Sequence, residues 1–188
     1  MKKMTLTALV LVAAFALAGC SEDNNPTAVT STADKVKPSE RTTIVDVAVA
    51  VNADTGEFST LIAAVLAADP AVLAALTGNG QLTVFAPTDA AFAELGLDAD
   101  NIGDLPQADL TGILLYHVAK GRRMAEDVVS SSQIRMYSGL FTSISLMDGM
   151  AFINDSQIVA TDVPADNGII HVIDAVLIPG TDKKIKMQ

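Results

Sequence analysis

Between residues 43 and 118 the apolar side chains recur every three or four positions, whereas from 140 to 178 they recur every second position. The first spacing lines one face of a helix and the second one face of a strand, so the chain switches from helices to sheet. Thr43 and Asp46 stand at capping-box spacing ahead of Val47, Ala48 and Val51, which predicts a first helix. Phe58, Leu61, Ile62, Val65 and Leu66 then fall at i, i+3, i+4, i+7 and i+8, a single stripe on a second. Asp69-Pro70 supplies an N-cap and a first-turn proline for a third helix carrying Val72, Leu73 and Leu76, ended by Gly78 and Gly80. Residues 82–86 read as a short strand, and Pro87-Thr88 turns the chain into a brief helix with Phe92 and Leu95. A further helix starts near Asp109, with Leu110, Ile113, Leu114, His117 and Val118 on its stripe.

In the last third, Leu140, Thr142, Ile144 and Leu146 alternate with Phe141, Ser143, Ser145 and Met147. Asp148-Gly149 between that run and residues 150–153 predicts a hairpin, because both central residues of a type I′ turn need positive φ. Asn154-Asp155 makes the next turn, and residues 157–163 and 169–178 supply two more strands. The last is apolar on both faces, as a central strand should be. Helices first and a meander last predict an α+β domain in which helices pack on antiparallel sheet.

The ends of the chain read differently. Lys2 and Lys3 precede an apolar run over 6–18 that is too short for a membrane-spanning helix, and Leu17-Ala18-Gly19-Cys20 closes it. This four-residue stretch resembles the bacterial lipobox, which implies cleavage of a 1–19 signal peptide and acylation of Cys20. The plainer alternative is an ordinary signal peptide with a coincidental cysteine. Residues 21–40 have no aromatic residue and two prolines, the composition of a tether that would hold a domain roughly 25 Å from its lipid. Ser21 after the cysteine implies, by the same resemblance, sorting to the outer membrane. The domain itself then runs over 41–180, with a short tail at 181–188.

Removing Lys2 and Lys3 leaves ten basic residues against 22 acidic ones, a net charge of −12. Nucleic acid is therefore not an expected partner, since Arg122-Arg123 and the terminal lysines form no basic stripe. With the one cysteine acylated, neither a disulfide nor a cysteine metal site can form.

Three segments carry a family resemblance: residues 83–92 (TVFAPTDAAF), Tyr116-His117 within LLYHV, and residues 167–179 (NGIIHVIDAVLIP). Their order and spacing resemble a fasciclin-type domain over roughly residues 41–180. The resemblance implies a compact wedge of antiparallel sheets with several helices, and a role in adhesion or matrix contact without catalysis or cofactor. In some animal members the Tyr-His segment and an Asp-Ile pair are linked to integrin binding. The matching positions, Tyr116, His117, Asp162 and Val163, are thereby candidate contact residues. Expected partners are the lipid bilayer, through Cys20, and a protein or polysaccharide of the cell surface or matrix.

Structural readings stand beside these. Thr88 and Asp89 suit a helix cap, Gly168 a tight turn, and His117 and His171 share apolar phases that favour buried, hydrogen-bonded rings. Asp98, Asp100 and Asp104 match a calcium loop only in part, and a solvated loop is the simpler reading. No nucleophile elbow or phosphate-cradling loop is present. The rival to adhesion is an envelope protein with small-ligand binding or glycan hydrolysis, which would show a concave pocket with convergent polar groups.

Overall fold

The structure, a computed structural model, describes residues 41–180. The expected signal peptide, Cys20 and tether, and the tail at 181–188, lie outside the described residues. The elements run α1 (Ile44–Thr55), α2 (Ser59–Ala67), α3 (Pro70–Thr77), β1 (Leu82–Pro87), α4 (Asp89–Ala93), α5 (Gln107–Tyr116), β2 (Val118–Lys120), α6 (Ala125–Ser130), β3 (Gln133–Arg135), β4 (Phe141–Met147), β5 (Met150–Ile153), β6 (Ser156–Ala165) and β7 (Gly168–Ile173).

The capping box forms as the spacing requires: Asp46 N–H donates to Thr43 Oγ1 at 3.3 Å, and Thr43 N–H returns to Asp46 Oδ2 at 2.8 Å. Helix α1 ends at Gly56, whose φ of 72° lets its N–H reach Asn52 O. Helix α2 has no cap of its own at Phe58. Asp89 supplies one from the far side of β1, its carboxylate accepting from Ser59 N–H at 3.1 Å and Thr60 N–H at 2.8 Å. The expected stripe on α2 is rotated. Phe58, Leu61, Ala64 and Ala68 are buried, while Leu66 is 70% exposed, because the chain bends by 118° into α3 and packs its small alanines inward. No single helix among the described residues is long and apolar enough to cross a membrane.

The seven strands form one sheet in the order β2-β1-β7-β6-β5-β4-β3. Neighbours are antiparallel except β1 and β7, which run parallel from Leu82 opposite Gly168 to Pro87 opposite Ile173. The expected antiparallel sheet is therefore mixed. Helices α4, α5 and α6 and the strands β2 to β6 separate β1 from β7, ample chain for the crossover that a parallel pair needs. Strand β7 is central as expected but stops at Ile173, because Asp174 leaves the sheet to hold Gln157 N–H at 2.7 Å. The Asp148-Gly149 turn has φ of 53° and 79°, as a type I′ hairpin demands.

Register shifts in β6, between Ile158 and Ala160 and again before Val163, bend the sheet. Its edges then meet: Ala119 of β2 bridges Met136, and Tyr137 N–H donates to Val118 O at 2.6 Å. The curl divides the core in two. Leu82, Val84 and Ala86 face the helices with Leu61, Leu76 and Leu114, whereas Phe85 joins Tyr116, Ile134, Ile153 and Ile173 inside the curl. Strands β2 and β3, only three residues each, carry no readable period, which is why sequence patterning does not find the closure.

Candidate functional site

His117 caps the C-terminus of α5 rather than continuing its stripe, and its ring enters the core at 2% exposure. Nδ1 stands 2.8 Å from Ile113 O, and Leu177 N–H donates to Nε2 at 2.9 Å. A ring that donates from Nδ1 and accepts at Nε2 is neutral. Burial pushes its pKa from 6.5 down to about 4, against the smaller upward pull of the Ile113 carbonyl. Tyr116 is also 2% exposed. Its hydroxyl donates to Phe141 O at 3.0 Å and accepts from Asn154 Nδ2 at 3.2 Å, joining α5 to the hairpin strands. The expected contact surface at Tyr116-His117 thus gives way to an internal brace, since neither side chain reaches solvent.

Asp162 sits at φ 60° in the bulged stretch of β6. Its Oδ1 accepts from Ala125 N–H at 2.9 Å, at the start of α6, and its own N–H donates to His171 Nδ1 at 3.3 Å. Val163 pairs with Ile170 and leans half-buried on the helical core instead of standing out as an apolar anchor. His171 Nε2 lies 3.0 Å from Arg123 O, its ring stacks on Phe85 with centroids 5.5 Å apart, and burial lowers its pKa. Thr83 completes the group by donating to Gly121 O at 2.7 Å and accepting from Arg123 N–H at 2.9 Å. This network fixes the loop between β2 and α6 onto the central strands.

The two outer motif segments are equally structural. Thr88 caps α4 by accepting from Ala91 N–H, while Asp89 caps α2 rather than its own helix. Asn167 Oδ1 accepts from Ile44 N–H at 2.8 Å, and Nδ2 donates to Leu76 O at 2.7 Å and Gly78 O at 3.1 Å, tying α1 and α3 to the β7 entry. Gly168 is required by close approach, not by a positive φ: a Cβ there would collide with the Leu82 carbonyl and stand 2.7 Å from Ile44 Cδ1. Asp98 Oδ1 is occupied by the N–H groups of Asp100 and Asn101, closing its own loop.

What remains available is surface. On the hairpin, Ile153 opposite Ile144 points into the curled core, so Met147 opposite Met150 and Ser145 opposite Phe152 point away from it. Phe141 and Met147, 52% and 53% exposed, lie on this outer face with Met150, and Val159 of β6 extends it. Sequence alternation finds the strands but not which face is buried, because both carry large apolar residues. An apolar void of about 60 Å³ lies under α1 and α2, lined by Leu61, Val84 and Leu114 among others. Two adjoining polar hollows, of about 260 and 370 Å³, share Lys120 and Arg123 in their walls. Among the described residues no group of three or more His, Cys, Asp and Glu side chains is placed to hold a metal ion.

The Fasciclin domain family model matches residues 56–179. The chain is 41% identical over 139 residues to protein sll1483 of Synechocystis sp., spanning 73% of each. It is 36% identical over 131 residues to the transforming growth factor-beta-induced protein ig-h3 of Sus scrofa, covering 68% of this chain and 19% of that one. Among solved structures it is similar in fold to a FAS1 domain pair from the insect cell adhesion molecule Fasciclin I. That likeness has a TM-score of 0.60 at 21% identity and covers 75% of this chain and 52% of the other.

Proposed function

This chain belongs to the fasciclin domain family, and on that premise we propose that it is a membrane-anchored extracytoplasmic module acting by surface contact, without catalysis. The anchor is acylated Cys20 in the bacterial outer membrane, and the partner is a protein or polysaccharide of the cell surface or matrix. The outer face of β4 and β5 carries this reading: Phe141, Met147 and Met150 stand exposed on a braced hairpin, with no packing role inside the core. Exposed apolar clusters of this kind suit contact surfaces. A solved fold relative is named a cell adhesion molecule, which agrees. Glycan hydrolysis is disfavoured because the polar hollows are walled by Lys120, Arg123 and Arg135 with Asp127 as their acid, not by two facing carboxylates. Beads coated with the protein should adhere to cells or matrix polymers better than beads carrying an unrelated acidic domain. Equal adherence would count against contact function, and turnover of a glycan or ester by the same preparation would overturn the non-enzyme reading.

A further inference from the structure

The described residues hold five basic side chains against seventeen acidic ones, and four of the five, Lys120, Arg122, Arg123 and Arg135, gather on the polar hollows. In the sequence Arg135 is well separated from the other three. Closure of the sheet brings it in: the antiparallel bridge of Ala119 to Met136 sets Lys120 across from Arg135. Like charges directly opposite on paired strands destabilise each other, so this pairing holds a repulsion that a bound anion would relieve. Four cations share these walls with one acid, Asp127, and among the described residues none of the four is in an ion pair. Lys120 Nζ stands 4.8 Å from the Tyr137 ring centroid, Arg122 Nη1 donates to Ala165 O at 3.3 Å, and Arg123 Nε is buried without a hydrogen-bond partner. A buried donor left unpaired is costly and rare in folded proteins. The Arg123 backbone is fixed at the mouth of these hollows, its N–H held by Thr83 and its carbonyl by His171.

We propose that this cleft between β2, β3 and α6 is a binding site for a carboxylated glycan, with Lys120, Arg123 and Arg135 pairing its uronate carboxylates. Planar arginine forks match planar carboxylates in two-point hydrogen bonds. One carboxylate per sugar ring suits a few cations spread over a cleft within an acidic surface, which would repel the denser charge of a nucleic acid. The remaining wall favours sugar over an acidic peptide: the Ser130 and Ser131 hydroxyls, which donate to Asp127 O, keep lone pairs to accept from sugar hydroxyls, the Asp127 carboxylate can accept from them too, and Tyr137 adds an aromatic ring. The site is separate from the outer face of the hairpin.

The test is calorimetric titration of the full chain with oligogalacturonate and with its methyl ester, which keeps the sugars and removes the charge. Saturable binding of the free acid is expected, weakened about ten-fold or more in the ester and in the double variant Lys120→Gln/Arg135→Gln. Both replaced side chains are exposed and the variant removes their mutual repulsion, so its Tm should be no lower than that of the wild type. Phe141→Ser/Met147→Ser should bind oligogalacturonate unchanged, which separates this site from the contact face. Absent binding of the free acid, equal binding of the ester, or wild-type affinity in the double variant would overturn the site. Tighter binding of oligoglutamate or inorganic phosphate than of oligogalacturonate would overturn its ligand class.

Discussion

Burial holds His117 neutral, with its bare Nε2 accepting from Leu177 N–H, and that fixes the sign of its effect on stability. The unfolded chain takes up its proton near 6.5 and the folded one near 4, so between these values the unfolded state binds more protons. Its contribution is complete above pH 6.5 and is lost as pH falls towards 4, by roughly 3 kcal/mol. His171, also lowered by burial, acts in the same direction. Urea midpoints measured across this range should fall for the wild type and fall less for His117→Asn, although that variant starts weaker at pH 7.5. Gly168→Ala should cost roughly 2 kcal/mol or more, since the Leu82 backbone cannot yield to a Cβ without disturbing the β1–β7 ladder. The burial of both histidines was legible from their apolar phase. The role of Gly168 was not, because close backbone approach between β1 and β7 depends on a parallel pairing that no local pattern announces.

Among the elements, α2 depends on a cap borrowed from another part of the chain. Asp89→Ala should destabilise the fold by about 1 to 2 kcal/mol, as loss of an N-cap usually does, and Asp89→Asn should recover part of this. Chemical denaturation of the two variants would decide it, and an Asp89→Ala protein as stable as wild type would show that α2 needs no cap. Helices with their own signals, such as the Thr43 capping box and the Asp69-Pro70 start, were readable from sequence, as was the Asp148-Gly149 hairpin. Strands β2 and β3 and helix α6 were not, being too short to show a period. That omission hid the sheet closure, and with it the gathering of Lys120 beside Arg135. The family resemblance marks Tyr116 as a contact residue, whereas its burial beside Ala119, Val128 and Ile134 rests on those same short elements, which no local pattern reveals.

At the scale of the whole molecule, the hydrogen bonds of Tyr116 and those of Asp162 with His171 make the segments marked as contact residues brace the scaffold, while the outer hairpin face stays exposed among the described residues. Membrane fractionation addresses the anchor: wild-type protein should sediment with membranes and Cys20→Ser should be released, whereas soluble wild-type protein with an unmodified N-terminus would remove the anchor. The contact face is tested most directly by comparing bead adherence of wild type, Phe141→Ser/Met147→Ser and Tyr116→Phe, each shown to be folded at the assay temperature. Adherence lost in the outer-face variant and kept in Tyr116→Phe is the expected result. Undiminished adherence with Phe141 and Met147 both replaced would contradict a contact surface on this hairpin.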